Sequence, residues 1–283
     1  MARLLRDNDY LRVIQSDNLA QIIESNQQTK LDVEQSAQSE MISYLTQRYI
    51  VNQIFTDTKV FDITATYNGK QLVEWTANVF SAATVYTTGQ YVLQAGYIYK
   101  SIAGSSAHAF NSSEWTQICL DKSLFYVTLP ESEYVNTTSY VVGDKVYYNN
   151  IEYTCLLNCK GILPTETGFW SAGSPYTLTT TYPDDSTKWT EGDNRNQQIV
   201  MYLLDITLYH LHSRINPRNT PDLRKERYDG NNATQNGGAI AWLKRCASGD
   251  ITADLPQILP QQGMSIRWGN SGGSTTKQSN QLW

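Results

Sequence analysis

The sequence predicts an α+β, multidomain chain: a helical-bundle scaffold, an inserted all-β domain of two repeated small β units, and an extended C-terminal arm. Three observations predict it. Gly89–Ser101 aligns with Gly143–Cys155 without a gap, matching Gly89 to Gly143, Val92 to Val146 and Tyr99 to Tyr153; Trp115 then answers Trp170 with a small slippage. Apolar residues at steps of three and four, the signature of helix, flank this repeat on both sides. The last residues scatter large apolar side chains through a Gly-, Ser- and Gln-rich background that cannot build a core of its own. The boundaries that follow are 1–82 for the first part of the bundle with a β-hairpin, 83–191 for the β domain with repeats at 85–118 and 139–172, 192–256 for the second part of the bundle, and 257–283 for the arm.

Taken in order, Asp17–Glu24 reads as a short helix opened by an Asp cap. A longer helix starts at Thr29 or Lys30 and runs to about Arg48, with Val33, Ala37, Met41, Tyr44 and Leu45 on one stripe. Phe61–Tyr67 alternates apolar and polar and is followed by Asn68-Gly69, which predicts a hairpin. In the repeats, Gln94-Ala95-Gly96 and Asn149-Asn150 are tight-turn signals between apolar runs. Helical pattern resumes near Asp193. Val200, Leu204, Leu208, Leu211 and Ile215 form one stripe, and Ile199, Leu203 and Ile206 widen it, so this helix is expected to be buried on most sides. Asn216-Pro217 ends it, Thr220-Pro221 opens another, and Ala239–Ala247 is the last, stopped by Gly249.

At 283 residues the chain has room for about two domains of 100–150 residues. Charged residues make up 17%, against roughly 25% in an average globular chain. Nineteen tyrosines help fill the difference, a composition of β modules and assembly interfaces. The net charge of −5 argues against nonspecific DNA binding over the whole surface, while leaving room for DNA to pass through a ring. No stretch approaches the roughly 18 continuous apolar residues of a membrane span, and Met1–Asp9 holds no secretory signal pattern. Cys119, Cys155, Cys159 and Cys246 do not form a disulfide framework. Cys155 and Cys159 lie on a different segment from His210 and His212, so these are expected to be buried or incidental thiols, with no metal and no cofactor.

There is no Gly-rich phosphate loop, no Gly-x-Ser-x-Gly elbow and no His-Glu-x-x-His. Asp184-Asp185 and Glu131-x-Glu133 are paired loop carboxylates; such pairs can act on glycosides, but in loops they read as solvated acids. His108 sits in a polar loop and no catalytic cluster converges on it, so no enzyme is expected. Arg214, Arg218, Arg224, Lys225 and Arg227 form a basic run. It reads either as a solvated face with helix-dipole partners or as an interface belt for a neighbouring subunit or a portal. A DNA-gripping role ranks third, since a wall that holds phosphate would slow passage.

Two resemblances follow from particular residues. Asp9-Tyr10, Asp17-x-Leu19 and a long helix closing on Tyr44-Leu45-x-x-Arg48-Tyr49, with Arg227-Tyr228-Asp229, Ala239–Leu243, Ala247-x-Gly249 and Leu255-Pro256, resemble the head-to-tail connector (adaptor) proteins of tailed bacteriophages. The match covers roughly residues 5–55 and 193–256. It departs from that family's pattern in the Gly230–Gly238 segment and in the size of the β insertion, which is similar to neck proteins of crAss-like phages. The resemblance implies a structural virion protein made in the bacterial host cytoplasm and residing at the head–tail junction. It implies a twelve-copy neck ring that binds the portal, meets tail or further neck proteins, and passes genomic DNA through its lumen without specific binding.

In the second repeat, Tyr140-x-x-Gly143-Asp144-x-Val146-x-Tyr148, Tyr153-x-Cys155, Pro164 and Trp170 resemble small chitin-binding-type carbohydrate modules; the first repeat is a looser version. That resemblance implies glycan stacking by exposed rings, for which the candidates are Tyr97, Trp115, Tyr140, Tyr147 and Trp170. The competing reading makes the same rings the core of each small unit. The alternative function is then a carrier of carbohydrate-binding modules on a helical oligomerising base, and on a phage neck the β part would meet fibres, subunits or glycan. In the arm, Ile258, Met264, Ile266, Arg267, Trp268 and Trp283 are the expected partner-binding anchors, since large apolar side chains are costly to leave in water.

Overall fold

The computed structural model of the protein describes residues 3–104, 107–215, 220–230 and 237–258. Among the described residues, four helices precede the strands: α1 (Asp7–Tyr10), α2 (Ser16–Ile22), α3 (Gln27–Leu45) and α4 (Val51–Ile54). Three follow them: α5 (Gln197–Ile215), α6 (Asp222–Asp229) and α7 (Ala239–Ser248). Asn26 opens α3, its side chain accepting the N–H groups of Gln28 and Thr29, so the helix starts ahead of Thr29. Asp17 is inside the first turn of α2 rather than its cap. Ala37, Met41 and Leu45 of α3 share one core with Ile199, Leu203 and Leu211 of α5 and with Ile240 and Leu243 of α7. The same face of α3 also buries Lys30, Glu34 and Gln38. Buried charge must be paired, and the N-terminal segment supplies the partners. Arg3 binds Glu34 through Nε and Nη2 at 2.7 and 3.0 Å, and Tyr10 donates to Glu34 at 2.9 Å. Lys30 reaches Asp7 at 2.8 Å.

The strands build three units of one design. The first is interrupted twice. It begins with β1 (Lys59–Val60), β2 (Tyr67–Asn68) and β3 (Leu72–Trp75). The chain then leaves to form β4 (Tyr91–Gln94), β5 (Tyr97–Ser101) and β6 (Trp115–Leu120), and returns as β7 (Ser123–Val127). It leaves again for β8 (Ser139–Tyr140), β9 (Lys145–Tyr148), β10 (Ile151–Cys155), β11 (Cys159–Lys160) and β12 (Trp170–Pro175). It closes with β13 (Thr177–Leu178) and β14 (Trp189–Glu191). The sheet orders are β1-β3-β7-β14 for this host unit, β4-β5-β6 for the first guest and β12-β10-β9 for the second. The registers correspond. Val73 faces Phe125, Val92 faces Tyr99 and Val146 faces Tyr153; Trp189, Trp115 and Trp170 face Val127, Ser101 and Cys155.

This corrects the predicted fold class. The seven helices of the described residues are not a bundle scaffold carrying one inserted all-β domain. The strands begin at Lys59, well before residue 83, and β1 and β3 belong to the same sheet as β7 and β14. Residues 83–191 are therefore two guests plus part of their host, spread over several small sheets. Phe61–Thr66 is not a strand of a hairpin either; it is a turn in which the Asp62 N–H and C=O both bind the Tyr67 hydroxyl, at 2.6 and 3.0 Å. The apolar alternation there reflects ring packing rather than a strand. The arm boundary also moves, because Gln257 bridges Tyr49 and the Ile258 N–H donates to the Arg48 carbonyl at 2.9 Å.

Removing a hydroxyl from the Tyr67 or Tyr140 site leaves a backbone N–H without a partner, at a cost of about 1–3 kcal/mol. Tyr67→Phe and Tyr140→Phe are each expected to lower urea-unfolding stability by that amount; a neutral effect at both would contradict the shared design. Arg195→Met breaks a fully buried ion pair with Asp9 and is expected to cost about 3–5 kcal/mol in the same assay.

Candidate interaction site

Each β unit is held by three rings at fixed spacing. An aromatic residue precedes a tyrosine by the same step in all three: Phe61 and Tyr67, Phe80 and Tyr86, Tyr134 and Tyr140. These pairs stack at 5.9, 5.4 and 5.5 Å between centroids. The tyrosine meets a tryptophan edge-on: Tyr67 with Trp189 at 5.4 Å, Tyr86 with Trp115 at 5.2 Å and Tyr140 with Trp170 at 5.2 Å. Edge-to-face contact aligns the positive edge of one ring with the negative face of another. Each tyrosine hydroxyl accepts a backbone N–H from five residues earlier, from Asp62, Ser81 and Val135. After the tyrosine comes a left-handed residue, Lys70, Gly89 or Gly143, with φ of 61, 88 and 96°. Its N–H reaches the carbonyl of Val127, Ser101 or Cys155 at 2.9, 2.8 and 2.9 Å.

That design decides the proposed sugar-stacking rings. Trp115, Tyr140, Tyr147 and Trp170 are buried, at 4, 7, 4 and 1% exposure. A ring enclosed on both faces has none to offer a sugar: Trp115, Tyr140 and Trp170 belong to the unit cores, and Tyr147 is buried against Tyr176, 6.0 Å between centroids. Tyr97 alone of the five is exposed. It begins β5 beside the Ala95-Gly96 turn, near the exposed Leu120.

The host and first guest leave a cleft of about 780 Å³ between them, lined by Phe61, Trp75, Tyr86, Tyr91 and Tyr182 with Asp62 and Asn78. Tyr91 and Tyr182 lie 4.4 Å apart. The Tyr91 hydroxyl donates to Asp184 at 2.8 Å, and Lys100 binds the same oxygen at 2.6 Å while sitting 5.2 Å from the Tyr91 ring centre. Burial first, and then Asp184 against the opposing pull of Lys100, pushes the Tyr91 phenol up to about 12. It is therefore a hydrogen-bonding group and not a base at neutral pH. Asp185 and Glu133 are engaged as well. Asp185 accepts the N–H and hydroxyl of Thr187, and Glu133 pairs with Lys70. Burial pushes the thiols of Cys119, Cys159 and Cys246 up to about 11, the Cys159 thiol also interacting with Cys155. Such thiols are poor nucleophiles. Among the described residues no group of three or more His, Cys, Asp or Glu is placed to hold a metal, and no helix is long and apolar enough to cross a membrane.

The basic run divides. Arg227 pairs with the buried Asp205 at 3.2 Å, and Lys225 with Asp222 at 3.4 Å. Arg224 donates to the Val13 carbonyl at 3.4 Å; burial and the neighbouring Arg227 lower its pKa. Arg214 is exposed, and Arg218 lies outside the described residues. Of the arm anchors, Ile258 is half exposed, while Met264, Ile266, Arg267, Trp268 and Trp283 lie outside the described residues. Protein-family models and curated proteins were both compared with this sequence, and none matches it.

The third unit escaped the sequence reading. Its signal was present as Phe61-x5-Tyr67-x2-Lys70-x2-Val73, the spacing of Phe80, Tyr86, Gly89 and Val92. Lysine in place of the glycine hid it, and Trp189 stands beyond both guests.

The N-terminal charge cluster sets a pH response. Burial alone would raise the Asp7 carboxyl, but hydrogen bonds from Arg3 and Lys30 outweigh it and hold it at about 2, below its ordinary 3.8. Asp193 is likewise lowered, its bonds to Arg195 outweighing burial. A depressed carboxylate stabilises the fold above its unfolded pKa and loses that contribution as pH falls through the folded value. Stability is expected to drop as pH falls from about 3.8 towards 2. Urea midpoints followed by tryptophan fluorescence test this, and Asp7→Asn should flatten the slope; an unchanged slope would show that these contacts do not set it.

Proposed function

We propose that this chain is a structural virion protein, a subunit of the neck ring that joins portal to tail in a tailed bacteriophage. In this reading its copies line part of the DNA exit channel, and its β units stand at the periphery for subunit or fibre contacts. The observation that carries the reading is the packing of its two resemblance blocks. Tyr10, Leu19, Leu45 and Tyr49 from the first block share one core with Ile240, Leu243 and Leu255 from the second. Residues far apart in the chain that jointly carry the connector-like pattern thus form one physical unit.

Further support comes from α6, which contains no buried residue and exposes Leu223 at 62% beside Lys225. An exposed apolar side chain among charges of both signs suits a subunit or portal interface better than bare solvent. The net charge of −5 suits a channel that DNA passes without sticking. The carrier reading for carbohydrate modules is weakened by the burial of four of its five rings.

The test is assembly on the portal encoded by the same genome. Mixed with that portal, the chain should form a ring visible by electron microscopy at the portal's tail-facing end. Leu223→Asp combined with Lys225→Glu should abolish attachment, as should truncation after Ile258, both leaving the melting temperature nearly unchanged. A chain that never joins the portal, or a native particle whose neck lacks it, would refute the assignment.

A further inference from the structure

The cleft between the host and the first guest, about 780 Å³, is walled by a row of rings. Phe61, Tyr182 and Tyr91 stand in sequence, with 5.6 and 4.4 Å between successive centroids. Trp75 backs the row, 6.1 Å from Phe61 and 5.2 Å from Tyr91. Phe61, Tyr182 and Tyr91 are only partly buried, so each keeps ring area for an incoming side chain. The wall is packed in advance, which spares a ligand the cost of ordering it.

Among the described residues lining the cleft, Asp62 alone carries a charge. The Thr64 N–H and hydroxyl both bind its Oδ1, at 2.9 and 2.8 Å, and hold the carboxyl below its ordinary range. Asp62 is therefore an anion at neutral pH, and the turn does not use its second oxygen. Aromatic rings present a negative face, so wall and carboxylate both favour a cation. The neighbouring Lys100 shows the mode. Its Nζ lies 5.2 Å from the Tyr91 ring centre and binds Asp184 at 2.6 Å. At the rim stand Val60 and Val85, exposed at 62 and 65%. These side chains offer a sugar no hydrogen bond. They suit a protein segment whose cation has large apolar neighbours.

The sequence holds such a segment outside the described residues. Residues 259–283 carry Arg267 and Lys277 and no acid, in a chain of net charge −5. Arg267 stands between Ile266 and Trp268, and Arg and Trp are the side chains that anchor protein contacts most often. The point of departure is fixed, since the Ile258 N–H donates to the Arg48 carbonyl at 2.9 Å. From Ile258 to Arg267 the chain spans up to about 30 Å when extended, enough to cross to an adjacent copy. We propose that the cleft receives the Ile266-Arg267-Trp268 segment of a second copy of this chain, with the guanidinium at Asp62 and the tyrosine rings and the flanking side chains on the valine rim. The contact is heterologous, so each copy gives one arm and receives another. A neck ring sets copies side by side; the proposal deepens that reading and rests on it for placing arm and cleft in different copies.

Sedimentation of the full-length chain up to about 0.5 mM, where even a weak contact is populated, provides the test. Wild type should show concentration-dependent association. Arg267→Glu and Trp268→Ala should each weaken it about ten-fold, the scale of a lost anchor at an interface. Asp62→Asn keeps an acceptor for the Thr64 turn and removes the charge, so association should weaken while the melting temperature holds. Asp62→Lys should weaken it further, and adding Arg267→Glu should recover most of the loss, because the reversed pair attracts again. Circular dichroism melts verify folding. Should Asp62→Lys unfold the turn, Asp62→Asn with Asn78→Lys carries the positive charge in its place, Asn78 being exposed in the lining. Wild type that stays monomeric, as it would with each arm on its own cleft, would overturn the proposal. So would association indifferent to these variants, or a reversed pair without recovery. Assembly on the portal separates the two readings. Rings that form there unchanged with Arg267→Glu would keep the neck and sink this contact. Association that passes the charge reversal, in a chain that never joins the portal, would do the opposite.

Discussion

The fold depends on one buried guanidinium. Arg195 stands between the last strand, β14, and α5, with its side chain 1% exposed. It binds both oxygens of Asp9, at 2.7 and 3.0 Å, and the Leu4 carbonyl at 2.7 Å, while Asp193 closes its other side at 2.7 Å. A buried charge is tolerable only when every donor is matched, and this one is matched by the N-terminal segment and by the neighbouring Asp193. The N-terminal segment, the strands and α5 are thus fixed at a single junction. Arg6 repeats the principle at the periphery, binding Glu74 on β3 and the Lys122 carbonyl just before β7. Desolvated pairs of this kind add little net stability, but they tolerate only one arrangement of the segments they join.

From that junction the β units extend as a nested series. Each is too small for a core of aliphatic side chains, and each solves the problem with one aromatic triad and one hydroxyl bracketed by backbone. Nesting follows from where the guests enter. Both leave the host at turns, where inserted chain breaks no ladder hydrogen bond and the closure entropy of a longer loop rises slowly. The outcome is a set of similar blocks that differ in what they expose, Val141, Val142, Leu156 and Leu157 on the second guest and Tyr97 and Leu120 on the first. The triads hold each block together and leave these apolar side chains outside its core.

The helices carry the other half of the functional reading. α3, α5 and α7 share one buried face, whereas α6 holds no fully buried residue and exposes Leu223 among Asp222, Lys225, Glu226 and Asp229. Tyr228 anchors the helix, packing against the core, stacking on Tyr209 at 3.9 Å and donating to Glu40 at 2.7 Å. Its paired charges, Arg227 with Asp205 and Lys225 with Asp222, orient the helix and leave Leu223 outward.

By itself the sequence determined what depends on near neighbours. The apolar stripes of α3, α5 and α7, the stop at Gly249 and the two guest hairpins were legible, because helix periodicity and tight turns are local properties. The alternation at Phe61–Tyr67 misled for the same reason: spacing suggested a strand where ring stacking and a hydroxyl bracket made a turn. Only the tertiary structure decided that Trp189 completes the unit begun at Phe61, since two guests separate them and Lys70 replaces the glycine that marks the other copies. It also decided that four of the five supposed sugar-stacking rings are buried. A ring's chemistry is the same inside and out, and burial depends on which distant segments close over it. The pairing of Arg195 with Asp9 lies in the same class. Nothing in either segment names the other, and only desolvation in the folded chain makes each the required partner of the other.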